Sequence, residues 1–241
     1  MQAIILAAGK GTRLYPLTKK IPKVMIDIKG KPLIEHHILL LRKYGIKEIF
    51  INLFTLPEKI KNYFDDGKKF GVKIKYALET KLLGSAGALH NFKKKLRNDF
   101  FVLYGDVFIQ VDLLQMLSFH KNKKSLFTLA VHKAKHPKDS DLVEFNQDKK
   151  IIRWLKVPHG KTSGVNSAGL YIINEQVLKY LPKKVPFDFA HDFIPLLINK
   201  IPLYAYQTEE LMMDIGTPER YNKLLKSLSK SEARNPKSET N

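Results

Sequence analysis

The sequence predicts an α/β fold: a mostly parallel sheet flanked by helices, with a smaller strand-rich lobe. Three observations carry this. Short β-branched or apolar runs alternate with helical patterns through the first half, as strands covered on both faces require. The first strand empties directly into a run of small residues, a Rossmann-like arrangement. From Leu126 onward strands outnumber helices, and 241 residues suffice for one substantial core.

Ala3–Leu6 opens the sheet as an apolar strand. Pro32–Lys43 reads as a helix, with Leu33, His37, Leu40 and Leu41 at helical spacing, which makes His37 a packing residue. Strands at Glu48–Asn52, Lys73–Leu78 and Phe100–Tyr104 alternate with helices at Pro57–Phe64, Ser85–Lys95 and Leu113–His120. The second half offers strands at Leu126–His132, Leu142–Phe145, Ile151–Leu155, Gly169–Ile173 and Pro202–Gln207. Helices fall at Glu175–Tyr180, at Asp188–Ile198 with Asp188 as its cap, and at Pro218–Ser229. One domain is expected over 1–229. The apolar-poor segment 230–241 is expected to be a disordered tail.

Ala7, Ala8, Gly9 and Gly11 follow the first strand, and Arg13 and Lys23 follow them. Small residues let backbone N–H groups approach an anion, and the cations neutralise what the amides do not. This is the profile of a polyphosphate site at a strand end. It is not a Walker loop, because Gly9-Lys10 is followed by Gly11. Nor is it the dinucleotide fingerprint, whose third glycine would stand at Leu14. Two further strand ends carry carboxylates, Asp106 after Gly105 and Asp214 before Ile215-Gly216. Such a pair beside a phosphate loop suits a hard divalent cation, Mg²⁺, which also takes oxygens from substrate phosphates.

Composition narrows the setting. There is no cysteine, so disulfides and thiolate metal sites are excluded. No apolar run approaches the roughly 20 residues that span a bilayer, and the first strand leaves no room for a signal peptide, so a cytoplasmic location is expected. The net charge of +19 comes from scattered lysines without aromatic interleaving. That disfavours nucleic acid and fits steering of an anionic small substrate.

The run Leu6-Ala-Ala-Gly-Lys-Gly-Thr-Arg-Leu-Tyr-Pro-Leu-Thr with Pro22-Lys23 resembles the signature of the sugar-1-phosphate nucleotidyltransferases. The likeness continues in Lys31-Pro-Leu-Ile-Glu-His, Leu83-Gly-Ser-Ala-Gly-Ala-Leu, Gly105-Asp106, Asn166-Ser-Ala-Gly-Leu-Tyr and Asp214-Ile-Gly-Thr-Pro-Glu-Arg-Tyr. It implies a nucleotidyltransferase domain with a sugar-binding lobe, Mg²⁺ on Asp106 and Asp214, and a nucleoside triphosphate and a sugar 1-phosphate as substrates. Arg13 would take the β,γ-phosphates, and Lys23 the α-phosphate and the incoming phosphate. Leu6, Ala8, Gly9, Gly11 and Thr12 would bind nucleotide through the loop. Glu79 would face the base, where a carboxylate suits the two adjacent donors of guanine. Gly84 would be a further nucleotide contact or merely part of a tight turn.

On the sugar side the resemblance points to Glu144, Asn166 and Gly169. The chain also departs from the pattern. Many relatives place a lysine two residues after the strand matching Ile151–Leu155, where this chain has Val157, so Lys156 would have to substitute from one position earlier. A glycine common before the sugar-side Glu is Asp141 here. The runs from His136 to Glu144, Val157-Pro-His159 and Phe187-Asp-Phe are most similar to guanylyltransferase-like members acting on mannose or heptose 1-phosphate. A cytidylyl-, uridylyl- or thymidylyltransferase, acting on another sugar phosphate or phosphocholine, stays open. So does a regulatory homologue, and self-association as a dimer or tetramer.

Overall fold

The computed structural model describes residues 1–134 and 136–234. In chain order its strands and α-helices are β1 (Gln2–Leu6), β2 (Asp27–Ile28), β3 (Lys31–Pro32), α1 (Leu33–Lys43), β4 (Glu48–Leu53), α2 (Pro57–Phe64), β5 (Lys73–Leu78), β6 (Asp99–Tyr104) and β7 (Val107–Gln110). There follow α3 (Leu113–Asn122), β8 (Phe127–Lys133), β9 (Leu142–Phe145), β10 (Ile151–Leu155), β11 (Val165–Asn174), α4 (Ile194–Ile198), β12 (Leu203–Gln207), β13 (Leu211–Asp214) and α5 (Pro218–Arg234).

Among the described residues, nine strands form one sheet. β5, β4, β1 and β6 run parallel, with Leu6 level with Asn52 on one side and Tyr104 on the other. β11 is antiparallel to β6 and to β8, and β12 closes that edge parallel to β8. β9 and β10 extend the sheet at the start of β11 and form the strand-rich lobe. Each sheet face buries its own apolar cluster, because alternate residues of β1 point opposite ways: Ala3 and Ile5 to one, Ile4 to the other.

Several expectations need correction. Ser85–Lys95 is not a helix but holds one 3₁₀ turn, Gly87–Asn91. The Ala86 and Gly87 amides donate to Phe187 O at 3.0 and 2.8 Å, which ties the start of the segment to the Phe187 backbone rather than into a helical turn. Asp188 does not cap its own helix. Its Oδ1 accepts from Ser85 N and Oγ, both at 2.9 Å, and the segment opens as a π-turn, Phe189–Phe193. Glu175–Tyr180 is likewise 3₁₀. α5 runs to Arg234, five residues into the segment expected to be disordered, and 235–241 lie outside the described residues. No helix of the described residues is long and apolar enough to cross a membrane.

His37 is buried, as its place on α1 requires, but it also does more than pack. Its Nε2 donates to Val107 O at 2.6 Å, directly under the turn that carries Asp106, while Nδ1 has no partner. Burial lowers its pKa from 6.5 to about 4, against the opposing pull of the Val107 carbonyl. An unfolded imidazole takes its proton near 6.5, the folded one only near 4. The unfolded chain therefore binds more protons between those values, and stability is lost as pH falls through that window. The midpoint of thermal unfolding is expected to drop from pH 6.5 to pH 4, with a shallower slope in His37→Gln; equal slopes would refute the assignment.

Candidate active site

The site is assembled by a third apolar cluster. Leu14 and Ile26, which flank the N-terminal loop, pack with Phe108 of β7, Ile215 after β13, and Leu224 and Leu228 of α5. Burying a side chain of this size stabilises by roughly 1.5–3 kcal/mol, so the cluster holds the two ends of the chain together. What it brings together is polar. Lys23, 7 % exposed, sits on a 3₁₀ turn after Pro22. Its Nζ lies 2.6 Å from Asp106 Oδ2 and 3.8 Å from Asp214 Oδ1.

Asp106 occupies the turn between β6 and β7. Gly105 is required there: its amide donates to Leu6 O at 2.9 Å, and a β-carbon would lie 2.5 Å from that oxygen. Asp214 ends β13, which belongs not to the main sheet but to a separate antiparallel ribbon with β7, Asp214 opposite Val107. Ile215 N donates to Asp106 O at 3.0 Å, so the two carboxylate-bearing turns are joined through the backbone as well. Asp214 also accepts from Gly216 N at 2.5 Å and from Arg220 Nη1 on the first turn of α5. Arg13 reaches the same place. A β-carbon at Gly216 would lie 3.1 Å from its Nη2.

The loop between these groups leaves Gly9 and Thr12 exposed, with nothing within 4 Å of a β-carbon built on Gly9. Gly11 turns at φ 67° against Thr18 and Lys23. Leu6 and Ala8 line its base. The arrangement thus offers an open backbone bend, two cations and two converging carboxylates at one end of the sheet. Both carboxylates approach one ammonium, so a divalent cation could span them. Hard oxygen donors suit Mg²⁺, whose remaining positions go to phosphate and water. No group of three or more potential ligands occurs among the described residues, which fits that mode rather than an all-protein cage.

Beside the carboxylates opens a cavity of about 410 Å³, lined by Asp106, Asp214, Asn166, Gly169, Tyr104 and Arg220 among others. Asn166 lies on β11, and its buried Oδ1 has no partner. Gly169, at φ 74°, marks the irregularity where β11 shifts register on β8 and bends around Tyr104.

Other expected residues lie elsewhere. Lys156 falls one residue beyond β10 and donates to His191 O at 2.6 Å, lining a neighbouring groove with Trp154. Glu144 faces Lys161 and Arg153 at 3.5 and 3.6 Å and lines neither space. Glu79 is 5 % exposed, and both its oxygens are engaged within the protein: Oε1 accepts from Asn52 at 2.8 Å and Asn91 at 3.2 Å, Oε2 from Leu83 N at 3.1 Å. Asn52 in turn accepts from Ala7 N at 2.9 Å, tying the N-terminal loop to residues 79–83. Gly84, at φ 81°, packs against the Phe187 backbone. Sequence reasoning missed Asn52 and Arg220. The second was readable: Pro218 starts a helix, which puts residue 220 on the turn beside Asp214.

Residues 2–231 match the family model described as nucleotidyl transferase. A Synechocystis protein named UTP--glucose-1-phosphate uridylyltransferase is 34% identical over 98% of this chain and 65% of its own. A Mycobacterium tuberculosis protein named mannose-1-phosphate guanylyltransferase is 29% identical over 92% and 62%. The chain therefore spans less than two thirds of the length of these curated relatives. The solved structure of HddC from Yersinia pseudotuberculosis, complexed with GMP-PN, superposes with a TM-score of 0.77 at 25% identity, covering 94% of this chain and 99% of that one. With the family model matched across nearly the whole sequence, the chain belongs to the nucleotidyl transferase family.

Proposed function

We propose that the protein transfers a nucleotidyl group from a nucleoside triphosphate to a sugar 1-phosphate and releases pyrophosphate. GTP is the favoured donor, and a mannose- or heptose-type phosphate the acceptor. The observation that carries the reaction is the convergence of Arg13, Lys23, Asp106 and Asp214 beside one cavity. An acceptor phosphate is already anionic near neutral pH and needs no protein base, so catalysis reduces to positioning and charge neutralisation.

Arg13 binds the β,γ-phosphates and the leaving pyrophosphate. Lys23 leaves its carboxylate partners to meet the α-phosphate and the incoming oxygen. Asp106 and Asp214 would hold Mg²⁺, which would supply charge neutralisation at the phosphoryl oxygens. Asn166 orients the sugar through its unpartnered oxygen. Base selection rests on the main chain near Leu6, Ala8 and Gly9, since the Glu79 carboxylate is occupied inside the protein.

Support for guanine comes from the relatives named mannose-1-phosphate guanylyltransferase and from the GMP-PN complex. The Synechocystis relative favours UTP with glucose 1-phosphate as the second reading. Pyrophosphate release, measured with Mg²⁺ across GTP, UTP, CTP and dTTP and a panel of sugar 1-phosphates, is expected to be fastest with GTP and a mannose- or heptose-type acceptor. Faster release with UTP and glucose 1-phosphate would overturn the substrate assignment. Absence of release with every pair would overturn the reaction.

A further inference from the structure

The acceptor's phosphate has to lie beside Lys23 and the two aspartates, yet the strand expected to bring it a cation does not. Lys156 is anchored on the His191 carbonyl and lines an adjoining groove, which shares Asn166 and Ser167 with the cavity, but it does not line the cavity beside the aspartates. Lys23 is shared between the Asp106 and Asp214 carboxylates, so further positive charge would favour an approaching phosphate. The cavity wall nevertheless carries two basic side chains, Arg220 and Lys223. They stand three residues apart on α5, so they share one face of that helix. The helix is anchored alongside them by buried Leu224 and Leu228.

We propose that Arg220 and Lys223 together form the cradle for the phosphate of the sugar 1-phosphate, replacing the lysine that β10 does not supply. The inference rests on the reaction proposed above. Arg220 donates one Nη1–H to Asp214 and is thereby aimed at the reacting end of the cavity. A guanidinium carries five N–H donors, so others remain for phosphate oxygens in a planar, two-pronged contact. Lys223 adds a mobile point charge beside it. The same cavity is lined by Asp106 and Asp214 and, from β11, by Asn166 and Ser167, which in this reading are left for the sugar hydroxyls. The acceptor therefore enters with its anomeric phosphate toward α5, and the α5 cations select phosphorylated over free sugars.

The test compares Lys223→Met, Lys223→Arg and Arg220→Lys with the unsubstituted chain, using mannose 1-phosphate or glucose 1-phosphate, whichever that chain consumes. Lys223→Met is expected to raise KM for the sugar 1-phosphate about tenfold or more, with KM for the nucleoside triphosphate unchanged and with near-complete rescue in Lys223→Arg. Arg220→Lys keeps the charge but loses the fork, and is expected to raise the same KM. Calorimetric binding of the sugar 1-phosphate should weaken in parallel, while the weak binding of the unphosphorylated sugar stays unchanged. Equal acceptor KM in Lys223→Met and the unsubstituted chain overturns the inference and leaves the reaction standing. A larger rise in Lys156→Ala than in Lys223→Met also overturns it. Absence of turnover in the unsubstituted chain overturns both.

Discussion

Replacing Asp106 by alanine is expected to lower kcat for pyrophosphate release by about a thousandfold, the scale at which a group stabilising developing charge is lost. The carboxylate is partly exposed and lies 2.6 Å from Lys23, on a turn whose backbone bonds do not depend on its side chain. The fold should therefore survive with a measurable penalty. Lys23, 7 % exposed, would keep only the Asp214 oxygen at 3.8 Å among its carboxylate partners. Leaving a buried cation under-paired costs about 3 kcal/mol, which in a chain of this size lowers the melting temperature by roughly 6–12 °C. Asp106→Asn removes the charge with less loss of shape and should show the same kinetic defect. Activity within tenfold of the unsubstituted chain in either variant would remove Asp106 from the reaction.

Gly84→Ala is expected to have the largest effect on stability. A β-carbon at Gly84 would meet Phe187 N at 2.5 Å and Phe187 O at 2.6 Å, and the backbone is already at φ 81°. Backbone cannot move aside as a side-chain tip can. The contact also lies inside a clamp in which Phe187 O receives the Ala86 and Gly87 amides and Phe187 N donates to Leu83 O. The expected loss is about 3–5 kcal/mol, read as a lower midpoint in urea or heat. Gly9→Ala supplies the contrast: with nothing within 4 Å of its β-carbon, it should change stability by less than about 0.5 kcal/mol. Comparable losses in the two variants would mean that Phe187 gives way.

The centre of the parallel sheet was legible in the sequence because β1 and β6 are nearly continuous apolar runs, as in Phe100–Tyr104 between covered faces. The glycine loop and the four charged residues near it were legible for a different reason: Arg13 follows Gly11 by two residues, Lys23 follows Pro22, Asp106 follows Gly105 and Asp214 ends a strand, each a local signal. The β7–β13 ribbon gave no such signal. Val107–Gln110 follows Asp106 at once, and pairing between residues so distant in sequence leaves no periodicity to read. For Glu79 the sequence could not display the protein's own partners: Asn52 and Asn91 donate to one carboxylate oxygen and Leu83 N to the other. Lys156 could not be placed from the sequence because β10 stops at Leu155, so the alternation of faces along a strand does not extend to it.

The pairing of β13 with β7 also sets when the site can exist. During synthesis the glycine loop, Lys23 and Asp106 all emerge while β13 is still missing, and Lys23 can then pair with Asp106 alone. Asp214 enters only when the final strand threads onto β7 and α5 closes over Leu14 and Ile26. A nascent or truncated chain ending before Leu211 therefore holds its glycine loop without a second carboxylate. Such a fragment is expected to be inert rather than partly active under the proposed reaction, which couples the site to the arrival of β13.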